Sequence, residues 1–388
     1  MRFVLVGPAH PFRGGIAQYL AVLYQKLCEK GHDVHFISFK RQFPRLLFPG
    51  QTQRDTGAAT IDVNPEPRLG PLNPFSWWTT ARAIRALKAD AVIFKWWVPF
   101  FGPSYGCLVR MIRSGRGPRP IAILDNVVPH EGWPMGKFWT RFGLSPFHGY
   151  IAQSETVHKE FMERFPEVPQ ERIRRVHHPL YDCYPSSLTR EQARQKLGIR
   201  EPHVLLFFGF IKPYKGLVDL LDAFPEIHRE VGGVRLLIVG EVYGDRQEYD
   251  RKMAGSPLKE AATWIDHYVP NEEVGIYFRA ADVAVLPYRS ASQSGIIQIA
   301  YAHGLPVITT HVGGLPEVVD EGESGLMVPP QNPHALAEAC VRFLREGLGE
   351  KLKPGVEKAA RRFGWEPLIQ AIEELTKGRE VKKKREEV

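Results

Sequence analysis

A chain of 388 residues, 44% apolar and 24% charged, is long enough for two or three cored domains and too apolar for a disordered one. Its formal charge of +8 is unevenly spread: residues 1–190 hold 25 Lys and Arg against 14 Asp and Glu, so the whole excess lies in the first half. Such a field draws anionic partners, whether a phosphorylated substrate or an anionic membrane surface, and otherwise is a solvated cationic face. Nucleic acid is not expected as a partner, because no binding module accompanies the charge. No apolar run reaches the roughly 18–20 residues of a membrane span, since "AVIFKWWVPFFG" is interrupted by Lys95 and Pro99. The start "MRFVLVGPAH" runs directly into a strand pattern and does not read as a signal peptide. The four cysteines (Cys28, Cys107, Cys183, Cys340) form no C-x-x-C pair, which fits a reducing cytoplasm and argues against a zinc site.

In chain order, strand-like apolar runs fall at 2–7, 33–39, 90–97, 120–125 and 149–153. Between the first two, "GIAQYLAVLYQKLCEKG" has helical spacing, with Gly31 as its stop. The same alternation restarts at His203, with strands at 203–209, 234–240, 282–287 and 306–310 and helices near 216–231, 271–281 and 294–303. Strands apolar on both faces, alternating with helices, imply parallel sheets covered by helices. The polar, proline-bearing stretch near 179–200 reads as a seam. The expected organisation is a Rossmann-like domain over 1–180, a second over 181–364, and a helix fading into a charged tail over 365–388.

Ligands of open parallel sheets bind outside the carboxyl ends of the strands, and three loops there are unusual. "GPAHPFRGGIAQ" places Gly14 and Gly15 at the opening of a helix, where backbone amides can approach an anion. It is neither G-x-G-x-x-G nor a P-loop, and a Gly-Gly pair on its own is most often only a turn. "FGFIKPYKGLVDLL" sets Lys212 and Lys215 ahead of a helix as a diphosphate clamp, or as two exposed loop lysines. In "YRSASQSGIIQIAYAHG", Ser292 or Ser294 is expected to cap the helix that Gly295 begins, leaving the amides of Gly295, Ile296 and Ile297 outward.

With the early Gly-Gly loop and "GHDV", the G-x5-K-G spacing at 209–216, "ADVAVLPY" at 281–288 and "HGLPVITTHVGGLPEVVDEGESGLMVPP", the chain resembles the retaining glycosyltransferases of family 4. That resemblance covers most of the sequence. It implies an α/β protein of GT-B architecture, two facing Rossmann-like doubly wound parallel-sheet domains with a cleft between them. It implies a nucleotide-sugar donor held mainly by the second domain and a carbohydrate or lipid-linked acceptor, with no cofactor and no metal required. Lys215 matches the family's phosphate lysine, the amides near Gly295 meet the same diphosphate, Gly14 and Gly15 match the glycine loop, and backbone at Tyr268 and Val269 matches the nucleobase-reading loop. Two departures stand out. Phe210 occupies the place of the family arginine, with Lys212 as a substitute. The paired-glutamate signature is absent, its places falling near Ala291–Ser292 and Ile299–Ala300. The ribose contact is then lost or moved to Gln298, while Glu317 lies too far along to replace it.

Transfer by this fold is described as a front-face displacement in which the leaving diphosphate helps deprotonate the acceptor. Lys212, Lys215 and the helix amides would stabilise the leaving group. Related enzymes place a histidine near the donor sugar in the first domain. In "LDNVVPHEGWP" the corresponding candidates are Asp125, His130 and Glu131, which otherwise are ordinary loop residues. Four of the eight tryptophans (Trp77, Trp78, Trp96, Trp97) sit among Arg and Lys over 75–119, a composition suited to a membrane interface unless Trp78, Ile84 and Trp96 are core. The alternatives within the same fold are an epimerase or a phosphorylase, and outside catalysis a nucleotide-binding scaffold that has lost turnover.

Overall fold

The computed structural model describes residues 1–44, 52–55, 57–113, 115, 117–127 and 135–378. Seven strands make the first sheet: β1 (Arg2–Val6), β2 (Asp33–Phe39), β3 (Glu66–Leu69), β4 (Ala91–Trp96), β5 (Arg119–Leu124), β6 (Gly149–Ala152) and β7 (Ile173–Arg175). Six make the second: β8 (His203–Phe208), β9 (Val234–Val239), β10 (Ala262–Ile265), β11 (Val283–Leu286), β12 (Val307–Thr310) and β13 (Gly325–Val328). All pairings are parallel, in the orders β3-β2-β1-β4-β5-β6-β7 and β10-β9-β8-β11-β12-β13. Central strands such as β1, β4 and β11 are buried along nearly their whole length, which is why they read as unbroken apolar runs.

Each order reverses at its centre, between β1 and β4 in the first sheet and between β8 and β11 in the second. The loops leaving those strands are the places where an open parallel sheet holds a ligand. They contain Gly14 and Gly15 after β1, Lys212 and Lys215 after β8, and Ser294 and Gly295 after β11.

One apolar core fills the outer side of the first sheet around Phe94, Trp96, Tyr105 and Phe161. Another fills one side of the second sheet around Phe207, Leu220 and Phe343. The third runs without a break from the helix Gly15–Glu29 through Tyr181 and Tyr184 of the linker into the second domain. The C-terminal helix Glu366–Lys377 returns to the first domain. Leu375 packs against Gly149, and Glu373 and Glu374 pair with His32 and Arg174 at 2.9 and 3.0 Å. Residues 379–388, the expected charged tail, lie outside the described residues.

Candidate active site between the two sheets

The carboxyl ends of the sheets face each other, and the cleft between them is crossed by side chains. From the loop after β1, Arg13 pairs with Glu241 after β9 at 2.6 Å, both side chains almost fully buried (3% and 5% exposed). The guanidinium also donates to the Tyr243 hydroxyl at 3.0 Å and lies 5.7 and 5.0 Å from the ring centres of Phe210 and Tyr268. The cation beside Phe210 therefore comes from the first domain. Lys212 instead lies over the Tyr243 ring at 5.7 Å. The Gly14 amide donates to the Tyr268 hydroxyl at 3.2 Å, so the expected nucleobase loop touches the glycine loop. Val269 beside it turns its side chain into the core.

Gly15 and Gly295 meet at one residue. The Tyr181 hydroxyl donates to the Gly15 carbonyl at 2.9 Å, and a Cβ at Gly295 would lie 2.9 Å from the Tyr181 ring. Glycine at 295 is thus required by close approach. Gly14 has φ +106°, a conformation that side chains rarely adopt. Ile296 packs where a Cβ at Gly209 would be.

Lys215 is half-buried. Its ammonium donates to the Tyr288 hydroxyl at 2.7 Å and sits 3.9 Å from that ring centre. Among the described residues no carboxylate pairs with it. Burial pushes its pKa below the ordinary lysine value, and the nearby Lys212 charge adds to the shift. Tyr288 is 3.3 Å from the Ser294 hydroxyl, so one short chain links Lys215 to the start of the helix Gly295–Ala302. For Ser294 the capping expectation needs correction. Ser294 occupies the cap position, but its side chain makes no cap hydrogen bond and turns to Tyr288. Gly304, at φ +68°, follows the helix end. Gln298 is 1% exposed, and among the described residues its Oε1 has no partner. Ile299 and Ala300, at one of the missing glutamate places, are core.

Asp125 stands at the end of β5, where its Oδ1 accepts from Gln293 of the second domain at 2.7 Å and from Lys95 at 2.6 Å. His130 and Glu131 lie outside the described residues. Glu317 crosses the cleft in the other direction. Its carboxylate accepts from the amides of Glu155 and Thr156, at 2.6 and 3.2 Å, at the start of the first-domain helix Glu155–Arg164. It is a helix-end anion that joins the domains.

Arg13, Glu241 and Gln293 are cleft residues that sequence reasoning passed over; Glu317 was weighed only as a ribose contact, and Lys95, buried behind Asp125, only as a break in an apolar run. The signal available was position: each lies in or beside a loop at a strand's carboxyl end. The aromatic expectation divides. Ile84 and Trp96 are core, whereas Trp78 is 46% exposed. Among the described residues no group of three or more His, Cys, Asp or Glu is placed to share a metal ion. None of their helices is long and apolar enough to cross a membrane.

Comparison with known proteins agrees with this geometry. The family models described as "Glycosyltransferase Family 4" and "Glycosyl transferases group 1" match residues 13–180 and 202–346. The D-inositol 3-phosphate glycosyltransferase of Acidothermus cellulolyticus is 26% identical over 92% of this chain and 84% of its own length. Among solved structures, sucrose-phosphate synthase from Thermosynechococcus elongatus superposes with a TM-score of 0.70 at 20% identity, covering 97% of this chain and 98% of that one. HepE from Anabaena, in complex with UDP, superposes with a TM-score of 0.71 at 16% identity, covering 96% and 99%. With both halves matched and the two-sheet architecture shared, the chain belongs to glycosyltransferase family 4 and is a transferase of the GT-B fold.

Proposed function

We propose that the protein is a retaining glycosyltransferase that moves a sugar from a nucleotide-sugar donor to a carbohydrate or lipid-linked acceptor. The observation that carries this reading is Lys215, a half-buried ammonium without a carboxylate partner among the described residues, tethered through Tyr288 to the start of a helix that the Ser294 side chain does not cap. A diphosphate there would meet the ammonium, Lys212 and the first-turn amides together, which is the charge needed where a nucleotide leaves. Structures of HepE bound to UDP and to UDP-glucose support a nucleotide-sugar as donor. Gln298 would take the ribose contact, offering its unpartnered Oε1 to a hydroxyl. Asp125, facing the second domain, would orient the acceptor hydroxyl. The scheme calls on no metal, because these side chains and amides supply the positive charge.

We also propose a cytoplasmic protein that sits peripherally on an anionic membrane. The helices Pro74–Ala86, Gly102–Arg113 and Gly136–Leu144 pack side by side and contain no Asp or Glu. They carry Arg82, Arg85, Arg110, Arg113, Lys137 and Arg141. Around them Phe75, Trp78 and Phe138 are exposed by 70%, 46% and 54%, an arrangement that suits lipid headgroups above an acyl layer.

The test is calorimetric binding of UDP, GDP, ADP and CMP, followed by turnover of the sugar nucleotides of whichever base binds. Selective binding with turnover supports the transferase reading. Binding without turnover of any sugar nucleotide would instead favour a nucleotide-binding scaffold, and binding of none would remove the donor site from this cleft.

A further inference from the structure

Lys95 is the fifth residue of β4, a strand at the centre of the first sheet, and it is 1% exposed. Alternation along the strand puts it on the same face as Ala91 and Ile93, in the core that continues into the linker. A lysine there gives up its hydration, and burial holds its pKa below the ordinary value, an effect that Asp125 partly offsets.

Its surroundings are complete for an ammonium with three donors. Nζ lies 2.6 Å from Asp125 Oδ1, 2.5 Å from Gln153 Oε1 and 3.6 Å from the ring centre of Tyr19. Gln153 in turn donates from Nε2 to the Tyr19 hydroxyl at 2.8 Å, so its amide cannot turn over without presenting N–H to the ammonium. The other titratable groups packed here are Tyr19 on the helix Gly15–Glu29 and His178 and Tyr181 in the linker. Burial and the Lys95 charge hold His178 neutral, its pKa pushed down to about 3, and burial raises both tyrosines. Lys95 and Asp125 are thus the two charges in this cluster.

A buried ion pair is poor grounds for stability, since an apolar replacement of both partners is often neutral or better. What this pair does have is direction. The Asp125 oxygen held by Lys95 is the one that accepts from Gln293, across the cleft. Gln293 immediately precedes Ser294 and Gly295, where the donor diphosphate is placed above.

We propose that Lys95 is a positioning residue that fixes the Asp125 carboxylate toward the cleft, and that Gln293 completes the arrangement only when the two domains meet. The inference rests on the transferase reading for what Asp125 then does, which is to hold the acceptor hydroxyl against the donor sugar. Lys95 itself touches no substrate.

The test combines kinetics with crystallography on Lys95→Met, Asp125→Asn and the double variant. With the sugar nucleotide that turns over, Lys95→Met should lower kcat by about 100-fold, the usual consequence of a loosened reacting group, and leave the donor KM within about threefold. The double variant should be no slower than Asp125→Asn alone, because both changes remove one function. Losses that multiply, or a normal kcat in Lys95→Met, would overturn the proposal. If the wild type turns over no sugar nucleotide, the transferase reading fails. The crystal structure of Lys95→Met then decides separately: Asp125 turned away from Gln293 upholds positioning by Lys95, and Asp125 unmoved refutes it. Should Lys95→Met not fold, Lys95→Arg keeps the charge but displaces its centre; a tenfold loss of kcat at constant KM is expected, and unchanged kcat refutes the proposal.

Discussion

Replacing Lys215 by Met removes one ammonium while keeping most of the stem that packs on Tyr288. In the structure that ammonium donates to one hydroxyl at 2.7 Å and lies 3.9 and 5.6 Å from the ring centres of Tyr288 and Tyr214, with no carboxylate paired to it among the described residues, so its charge is available to an anion. A hydrogen bond from a charged donor to a phosphate is worth about 1.5–3 kcal/mol. The dissociation constant for the matching nucleoside diphosphate should therefore rise by roughly 10- to 150-fold. Calorimetry at fixed ionic strength measures it, because exposed charges elsewhere in the first domain add a salt-dependent background. The melting temperature should hold or rise, since removing a half-buried charge with no carboxylate partner among the described residues ends a desolvation cost. In the wild type, affinity should weaken as pH rises through the Lys215 pKa, and burial places that fall below the ordinary lysine value of 10.5. Equal affinity in wild type and Lys215→Met would refute the donor site at the start of the helix. Weakened affinity accompanied by a lower melting temperature would mean that a structural lysine had been removed.

Gly295→Val drives a side chain into Tyr181, where even a Cβ lies at 2.9 Å; nucleotide affinity should drop at least tenfold, and an unchanged value would mean that the helix start faces elsewhere. Gln298→Leu should hold or raise thermal stability by removing a buried oxygen that has no partner among the described residues, yet weaken nucleoside diphosphate binding about fivefold if that oxygen meets the ribose; a gain in stability with no loss of affinity would leave Gln298 as core. Acid should destabilise the protein through His178, whose folded pKa is about 3. Above pH about 6.5 the imidazole is neutral in both states, whereas below it the unfolded chain takes up the proton that the folded one refuses, so stability falls toward pH 3. Denaturant unfolding of His178→Gln across that window should show a shallower slope, and an identical slope would acquit His178. Finally, Phe75→Ser, Trp78→Ser and Phe138→Ser together should abolish sedimentation with vesicles containing phosphatidylserine while leaving nucleotide affinity intact; sedimentation equal to wild type would exclude this face.

The nine strands legible in the sequence occupy the interiors of the two sheets, and the four that were not are β3, β7, β10 and β13, the four edges. An edge strand has one neighbour and less core to cover, so its apolar signal weakens. β3 is "EPRL", with a proline and a register shift against β2, and β7 is the three residues "IRR". The candidate donor loops stood out in the sequence for a different reason. Glycine, lysine and serine at strand ends have chemistry that survives without coordinates, and Gly15 and Gly295 then prove to share Tyr181. What could not be read were pairings across the cleft. Arg13 with Glu241 and Asp125 with Gln293 are separated by 228 and 168 residues, and no local spacing connects them.

Those long-range pairs also change how the missing glutamates weigh on activity. At the places where the family resemblance implies carboxylates, the chain has residues such as Ile299 and Ala300 that are buried in the core. The helix Gly295–Ala302 contains no carboxylate. Negative charge in the cleft comes instead from Glu241, Asp125 and Glu317, each engaged with the opposite domain: Glu241 with Arg13, Asp125 with Gln293, Glu317 with the helix at Glu155. Each of these carboxylates makes a contact to the opposite domain, while Asp125 also keeps its ion pair with Lys95 inside the first domain. The three contacts join the two domains around the space between Gly15, Lys215 and Gly295.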